Sequence, residues 1–159
     1  MDFKAILVAT DFSECAGAAF KVAQKLARQF GAKIVLLHVI QQRVVAGVAE
    51  HLNVEPDGLL PAFREKAQQH LDEVLKKSCC DGLDLTSMVT VGLPFQEIAA
   101  VARDLAADLI VMGGYGRSGR GPIEKVFFGS TAEKVVRLLP CPVLCVPWEN
   151  RAVTGENPL

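Results

Sequence analysis

The apolar positions fall into short, nearly continuous runs that alternate with stripes of helical period. Phe3 to Ala9, "FKAILVA", has strand length and then meets the helix-start residues Thr10-Asp11-Phe12-Ser13-Glu14. From Ala19 the apolar residues return as Val22, Ala23, Leu26, Ala27 and Phe30, a helical stripe closed by Gly31. Lys33 to Ile40, "KIVLLHVI", predicts a second buried strand. Gln41 to Leu60 is ambiguous, with a short helical pattern and then "EPDG", a turn signal. Pro61 to Cys79 predicts a helix with Phe63, Ala67, Leu71, Val74 and Leu75 on one side. Leu83 to Val91 alternates and predicts a third strand at a sheet edge. "GLPFQEIAAVARDLA" predicts a helix with Pro94 near its first turn. "DLIVM", Asp108 to Met112, is a fourth strand, Ser130 to Leu139 a last helix, and "PVLCVP" a fifth strand.

Apolar strands alternating with helices imply a parallel sheet covered on both faces. Right-handed crossovers make that a single-domain, doubly wound three-layer α/β sandwich. Such sheets take ligands beyond the carboxyl ends of their strands, where the strand order reverses. That rule selects the loops after the first and fourth strands, "TDFSE" and the glycine-rich stretch from Gly113 to Gly129.

Composition removes several classes. The chain has 159 residues, half of them hydrophobic, and a formal net charge of -1, so no basic field for nucleic acid is present. No apolar run approaches the roughly 20 residues of a membrane span, and the N-terminus lacks a signal-peptide layout. A cytoplasmic location is the expectation. Cys15, Cys79, Cys80, Cys141 and Cys145 are odd in number and irregularly spaced, which suits reduced thiols used as small hydrophobes. His38, His51 and His70 have no metal-ligand spacing, and His38 is read as structural.

Three phosphate-loop templates can be laid over the glycines. Gly114, Gly116 and Gly119 match the dinucleotide fingerprint, but only one helix and one strand follow, where that fold needs many more. Gly116 and Gly121 have the separation of a Walker loop, but Pro122 stands where its lysine belongs. The third template is the G-x2-G-x9-G-[ST] pattern of the universal stress protein family. "AILVATDFSE", "VLLHVI", "VGLPFQEI", "LIVMGGYGRSG", "GSTAEKVVR" and "PCPVLCVP" resemble that family in order and spacing, across Phe3 to Pro147. The spacing differs in one place. Gly113 and Gly116 fit the first pair, yet twelve residues rather than nine separate Gly116 from Gly129. Part of "RSGRGPIEK" then reads as a three-residue insertion in a surface loop.

The resemblance implies a five-stranded parallel sheet of order 3-2-1-4-5, of the adenine nucleotide α-hydrolase-like type, over residues 1–147, followed by a polar tail, 148–159. It implies an adenine nucleotide, ATP, ADP or AMP, with Mg²⁺ accompanying the phosphates. The residues carried over are Ala9, Thr10, Asp11, Val39, Met112, Gly113, Gly116, Arg117, Gly129, Ser130 and Thr131. By the resemblance, Ala9 and Met112 would line an apolar slot, the peptide groups of Val39 would meet the adenine edge, and Thr131 would meet phosphate through its backbone N–H.

The residues themselves leave alternatives open. Asp11 is either the N-cap of the first helix, with Glu14 three residues on, or a ribose ligand by the resemblance. Ser130 to Glu133 reads as a capping box, with Gly129 letting a phosphate approach the free N–H groups. Arg117, Arg120 and Lys125 either balance phosphate charge or form a solvated loop.

No general base, nucleophile elbow or metal cluster is evident, so the expectation is a regulatory binder with at most slow ATP hydrolysis. Bound nucleotide would alter loop order and contacts with an unknown protein partner. The family implies a homodimer through the last strand, Val143 to Val146. Competing readings are a nucleotide-free dimeric adaptor and a flavodoxin-like carrier, whose first loop needs glycine that "TDFSE" lacks. A nucleotidyl-transferring enzyme would need an HxGH or SGGxDS motif, and neither occurs.

Overall fold

The computed structural model describes residues 2–78, 80–115, 129–138 and 140–147. Gly116, Arg117, the rest of the enlarged loop including Arg120 and Lys125, Cys79, Leu139 and the tail from Trp148 lie outside the described residues. Five strands, β1 (Ala5–Ala9), β2 (Lys33–Gln41), β3 (Leu85–Gly92), β4 (Leu109–Gly113) and β5 (Val143–Val146), form one parallel sheet. Its order is β3-β2-β1-β4-β5, the order expected.

The helices are α1 (Glu14–Phe30), α2 (Gln42–Leu52), α3 (Pro56–Lys77), α4 (Pro94–Asp104) and α5 (Ser130–Leu138). Alternate strand residues feed two cores. Ile6, Val8, Ile34 and Leu36 pack with Ala19, Phe20 and Ala23 of α1 and Leu71 of α3. Leu7, Val35, Leu37 and Ile110 pack with Ile98 and Val101 of α4 and Val135 of α5. The sheet buries both faces, which explains why its inner strands read as unbroken apolar runs.

Asp108 fastens the amino ends of the central strands. Its carboxylate accepts from the amides of Ala5 (2.9 Å) and Lys4 (2.8 Å), and those bonds hold its pKa below the usual carboxylate range. Cys15, Cys80, Cys141 and Cys145 are free thiols. Burial pushes the thiols of Cys141 and Cys145 up, away from the reactive thiolate.

Three local expectations change. "EPDG" is the start of α3 rather than a turn: Pro56 occupies the first helical turn with Asp57, and the helix runs on through Pro61. Proline is compatible with a first turn because its missing N–H has no helical partner there. At Pro61 the helix loses one internal donor, a cost met this close to its start. The N-cap of α1 is Ser13, not Asp11: the Ser13 hydroxyl accepts from the amide of Ala16 at 3.2 Å. Asp11 instead shapes the turn before the cap, accepting from the amide of Ser13 at 3.0 Å. The capping box at α5 does not form either. Ser130 is already the first helical residue, and Gly129 is the cap residue whose carbonyl accepts from Glu133 at 3.0 Å. The Glu133 carboxylate pairs forward with Arg137 at 2.8 Å.

Candidate functional site

The carboxyl ends of the strands open into a cleft of about 870 Å³. That lies within the range of about 300–1,000 Å³ usual for small-molecule sites. Ala9, Thr10, Asp11, Val39, Met112, Gly113, Gly129, Ser130 and Thr131 all line it. Every described residue of the expected set is therefore brought to one place, from four separate segments. Gly116 and Arg117 lie outside the described residues.

The lip after β1 is built by side-chain acceptors. Thr10 Oγ1 accepts from the amide of Phe12 at 3.0 Å, and Asp11 Oδ1 accepts from Ser13. Between them Phe12 is held in the left-handed region, at φ 64°. That conformation costs a non-glycine residue about 1–2 kcal/mol. Its ring is packed between His38, with centroids 4.5 Å apart, and His70, edge-on at 5.1 Å. His38 Nδ1 lies 2.9 Å from the Thr10 carbonyl oxygen. A carbonyl only accepts, so Nδ1 carries the proton. His38 thus braces this lip, as its structural reading anticipated.

The middle of the cleft is exposed strand edge. β1 last pairs β2 at Ala9 and Leu37, where the Thr10 amide still donates to Leu37 O at 2.8 Å. β2 continues to Gln41. Peptide groups alternate in direction along a strand, so the Val39 peptide faces the same side as that of Leu37, past the end of β1. The edge of β2 at Val39 therefore opens on the cleft, which Ala9 of β1 and Met112 of β4 also line.

The lip after β4 is built from backbone. Gly113 is required by packing: a Cβ there would lie 2.8 Å from Cys15 Sγ and 3.1 Å from the Cys15 carbonyl carbon. The end of β4 thus approaches the first turn of α1 at a distance that only glycine allows. The Gly114 amide donates to Val146 O at 2.9 Å, and the Gly129 amide donates to Gly114 O at 2.6 Å. Gly129's own N–H is consequently committed to the fold, so the amides that a phosphate could approach are those that follow it. The amides that helix geometry leaves without a partner are those of Ser130, Thr131 and Ala132, ahead of the first internal bond at Glu133. They sit at the positive end of α5.

Sequence reasoning missed the remaining wall. α3 contributes Phe63, Lys66 and His70 from one helical stripe, α4 contributes Phe95, and α5 contributes Lys134. The spacing of Phe63, Lys66 and His70 was a usable signal, but it is shared with any helix that faces a core. Among the described lining residues Asp11 is the one carboxylate, against Arg43, Lys66 and Lys134. The cleft is thus cationic in a chain of net charge -1. Among the described residues no cluster of acidic, His and Cys side chains is arranged to hold a metal ion. No helix there is long and apolar enough to cross a membrane.

Comparison with known proteins agrees with this architecture. The sequence model of the universal stress protein family matches residues 2–147. A universal stress protein of Methanocaldococcus jannaschii is 29% identical over 160 residues, covering 93% of this chain and 97% of its own. One from Thermus aquaticus is 33% identical, over 91% of this chain and 98% of its own. The solved structure of the Methanocaldococcus protein superposes with a TM-score of 0.79 at 30% identity, covering 94% of this chain and 99% of that one. A universal stress protein solved in complex with cAMP has the same fold, with a TM-score of 0.65 at 22% identity over 92% of this chain and 98% of its own.

Proposed function

This chain belongs to the universal stress protein family, and we propose that it is a nucleotide-binding regulatory member, holding an adenine nucleotide across the cleft. The observation that carries the reading is the convergence of the nine described candidate residues on one cationic cleft. Adenine lies in the slot between Ala9 and Met112, with its edge on the Val39 peptide. The ribose hydroxyls meet Asp11, an acceptor-only group suited to hydroxyl donors and unsuited to phosphate. The phosphates run to the first turn of α5, onto the amides of Ser130, Thr131 and Ala132. By the resemblance Gly116 and Arg117, outside the described residues, would serve the same phosphate end. A crystal structure of a relative with cAMP and another with dAMP lend the ligand class support.

The residues present suit ATP through this donor set. They offer Mg²⁺ little of their own: Asp11 is the one described carboxylate in the cleft, so the ion would arrive held by phosphate and water. It would screen phosphate charge. No described residue of the cleft requires turnover, and the output is a change in the surface offered to a protein partner when nucleotide is bound.

Calorimetric titration with ATP, ADP and AMP tests the reading, together with mass spectrometry of small molecules released from freshly purified protein. Saturable binding of an adenine nucleotide is the expected result. No binding of any of the three, with no nucleotide released on denaturation, sinks it.

The dimer belongs to the same proposal. The outer strand β3 takes two hydrogen bonds from α3 side chains: Arg64 donates to Val89 O at 3.3 Å and Gln68 to Ser87 Oγ at 3.0 Å. β5 forms the other edge, and Leu144 at its centre is 38% exposed. An apolar edge of this kind is a site for pairing with a second copy. Leu144→Lys is expected to shift sedimentation toward monomer, and a wild type that is monomeric at high concentration refutes the pairing.

A further inference from the structure

We infer that Lys134 supplies the side-chain cation for the ligand's anionic tail, in place of the lysine that a Walker loop would carry. The inference rests on the nucleotide reading and adds a charge-selecting residue to it.

Lys134 lies three residues after Thr131 and four after Ser130 on α5. Residues at those spacings share a helix face. All three line the cleft, so the face that presents the free first-turn amides also presents the Lys134 ammonium. Three residues of helix rise span only about 4.5 Å. A four-carbon stem covers that distance and reaches an anion seated at the helix start.

The ammonium has an aromatic resting place and, among the described residues, no acid. Its Nζ stands 4.9 Å from the centroid of the Phe95 ring, which also lines the cleft. An exposed contact of that kind is worth only about 0.5–1 kcal/mol. The neighbouring carboxylate, Glu133, is engaged by Arg137. Among the described residues no carboxylate forms an ion pair with Lys134. The other cations of the described lining, Arg43 and Lys66, come from α2 and α3 rather than from the helix whose amides face the ligand. Lys134 therefore waits on a weak aromatic contact beside the first-turn amides of α5. A phosphate competes for it with full charge and hydrogen-bond donation.

The consequence is a dependence on ligand charge. Adenosine, AMP and ATP present the same base and ribose with increasing negative charge. Titrations of wild type, Lys134→Gln and Lys134→Arg with each ligand, at low and moderate salt, separate the outcomes. The Gln variant is expected to bind ATP about tenfold more weakly, the size of one partly screened ion contact. Its AMP affinity should fall less, its adenosine affinity should stay within twofold, and its salt dependence for ATP should flatten. The Arg variant should recover most of the ATP affinity. Unchanged ATP affinity in Lys134→Gln overturns the assignment. So does an equal loss for adenosine and ATP, which would make Lys134 a packing residue for Phe95. Failure of the wild type to bind adenosine, AMP or ATP is a different result, and it removes the nucleotide reading itself.

Discussion

The two lips of the cleft carry the chain from strand to helix at the same rim, with opposite hydrogen-bonding chemistry. After β1, Thr10, Asp11 and Ser13 turn side-chain oxygens onto the amides of Phe12, Ser13 and Ala16. That lip is rich in acceptors and holds a phenylalanine in a left-handed conformation to keep its shape. At the start of α5 the chain uses glycines and main chain: Gly129 N–H closes onto Gly114 O, Gly129 O opens the helix, and three amides face outward. That lip is rich in donors. An acceptor lip facing a donor lip across an apolar slot is polar in one direction. It suits a ligand with hydroxyls at one end and an anion at the other, which is a more specific statement than the presence of glycines.

The strongest way to break the comparison is to reverse the sign of the donor lip. Gly129 is the cap residue of α5, a position that favours aspartate. Gly129→Asp is therefore expected to leave unfolding stability unchanged or a few tenths of a kcal/mol higher. The same carboxylate would stand where phosphate charge belongs. ATP affinity should fall about 100-fold, since like charges a few ångströms apart near a surface cost several kcal/mol. Thermal unfolding and calorimetry on one preparation check both halves. Retained ATP binding in a folded variant would place the anion elsewhere.

Gly113 separates folding from binding at the same lip. Its Cβ would meet Cys15 Sγ at 2.8 Å and the backbone of Cys15 and Ala16 at 3.1 and 3.2 Å. Gly113→Ala should destabilise the fold by about 1–3 kcal/mol, the usual cost of overpacking. Adding Cys15→Ala should recover only part of the loss, because the backbone contacts remain. Denaturant titration of the single and double variants checks this.

The acceptor lip yields a smaller effect. Ser13→Ala removes the oxygen that accepts from Ala16. It should cost about 1 kcal/mol in denaturant unfolding. Asp11→Ala should cost less, because Asp11 shapes the turn before the helix rather than capping it. The reverse ranking would restore Asp11 as the cap.

Much of this fold was legible in the chain because burial on both faces leaves a continuous apolar signature. "KIVLLHVI" and "DLIVM" could hardly be other elements, and the order 3-2-1-4-5 followed from the resemblance. What was misread lay where one short motif serves two geometries. "EPDG" is a turn signal and also a helix start with proline in the first turn; what favours the helix is that Leu59, Leu60 and Phe63, just after it, pack against Ile40, Val45 and Ala67. "TDFSE" holds two plausible caps two residues apart, and the choice falls on Ser13 only once Phe12 turns left-handed. Gly113 reads as a phosphate glycine, and only the fold adds its packing role, because Cys15, which a Cβ there would meet, is almost a hundred residues away in sequence. Lys134 carries no signal in the sequence, since no local pattern says that Phe95 and the cleft lie beside it.

The finest test concerns Asp11, where the lip's hydrogen bonding and its charge can be separated. Asn retains an oxygen able to accept from Ser13, so Asp11→Asn should change stability by no more than about 0.5 kcal/mol. A ribose hydroxyl loses only the charged component of its acceptor, which predicts a drop in adenosine affinity of about three- to fivefold. For ATP a second effect has the opposite sign. Removing the carboxylate relieves its repulsion of the phosphate tail, so ATP should lose less than adenosine does. The ratio of ATP to adenosine affinity should therefore rise in Asp11→Asn, whereas in Lys134→Gln and Gly129→Asp it falls. Calorimetry with both ligands measures that ratio directly. A ratio that falls in Asp11→Asn as well would mean that the carboxylate assists the phosphate tail, as it would through a bound cation, instead of repelling it from the sugar end, and the opposed lips would lose their meaning as the two ends of one ligand.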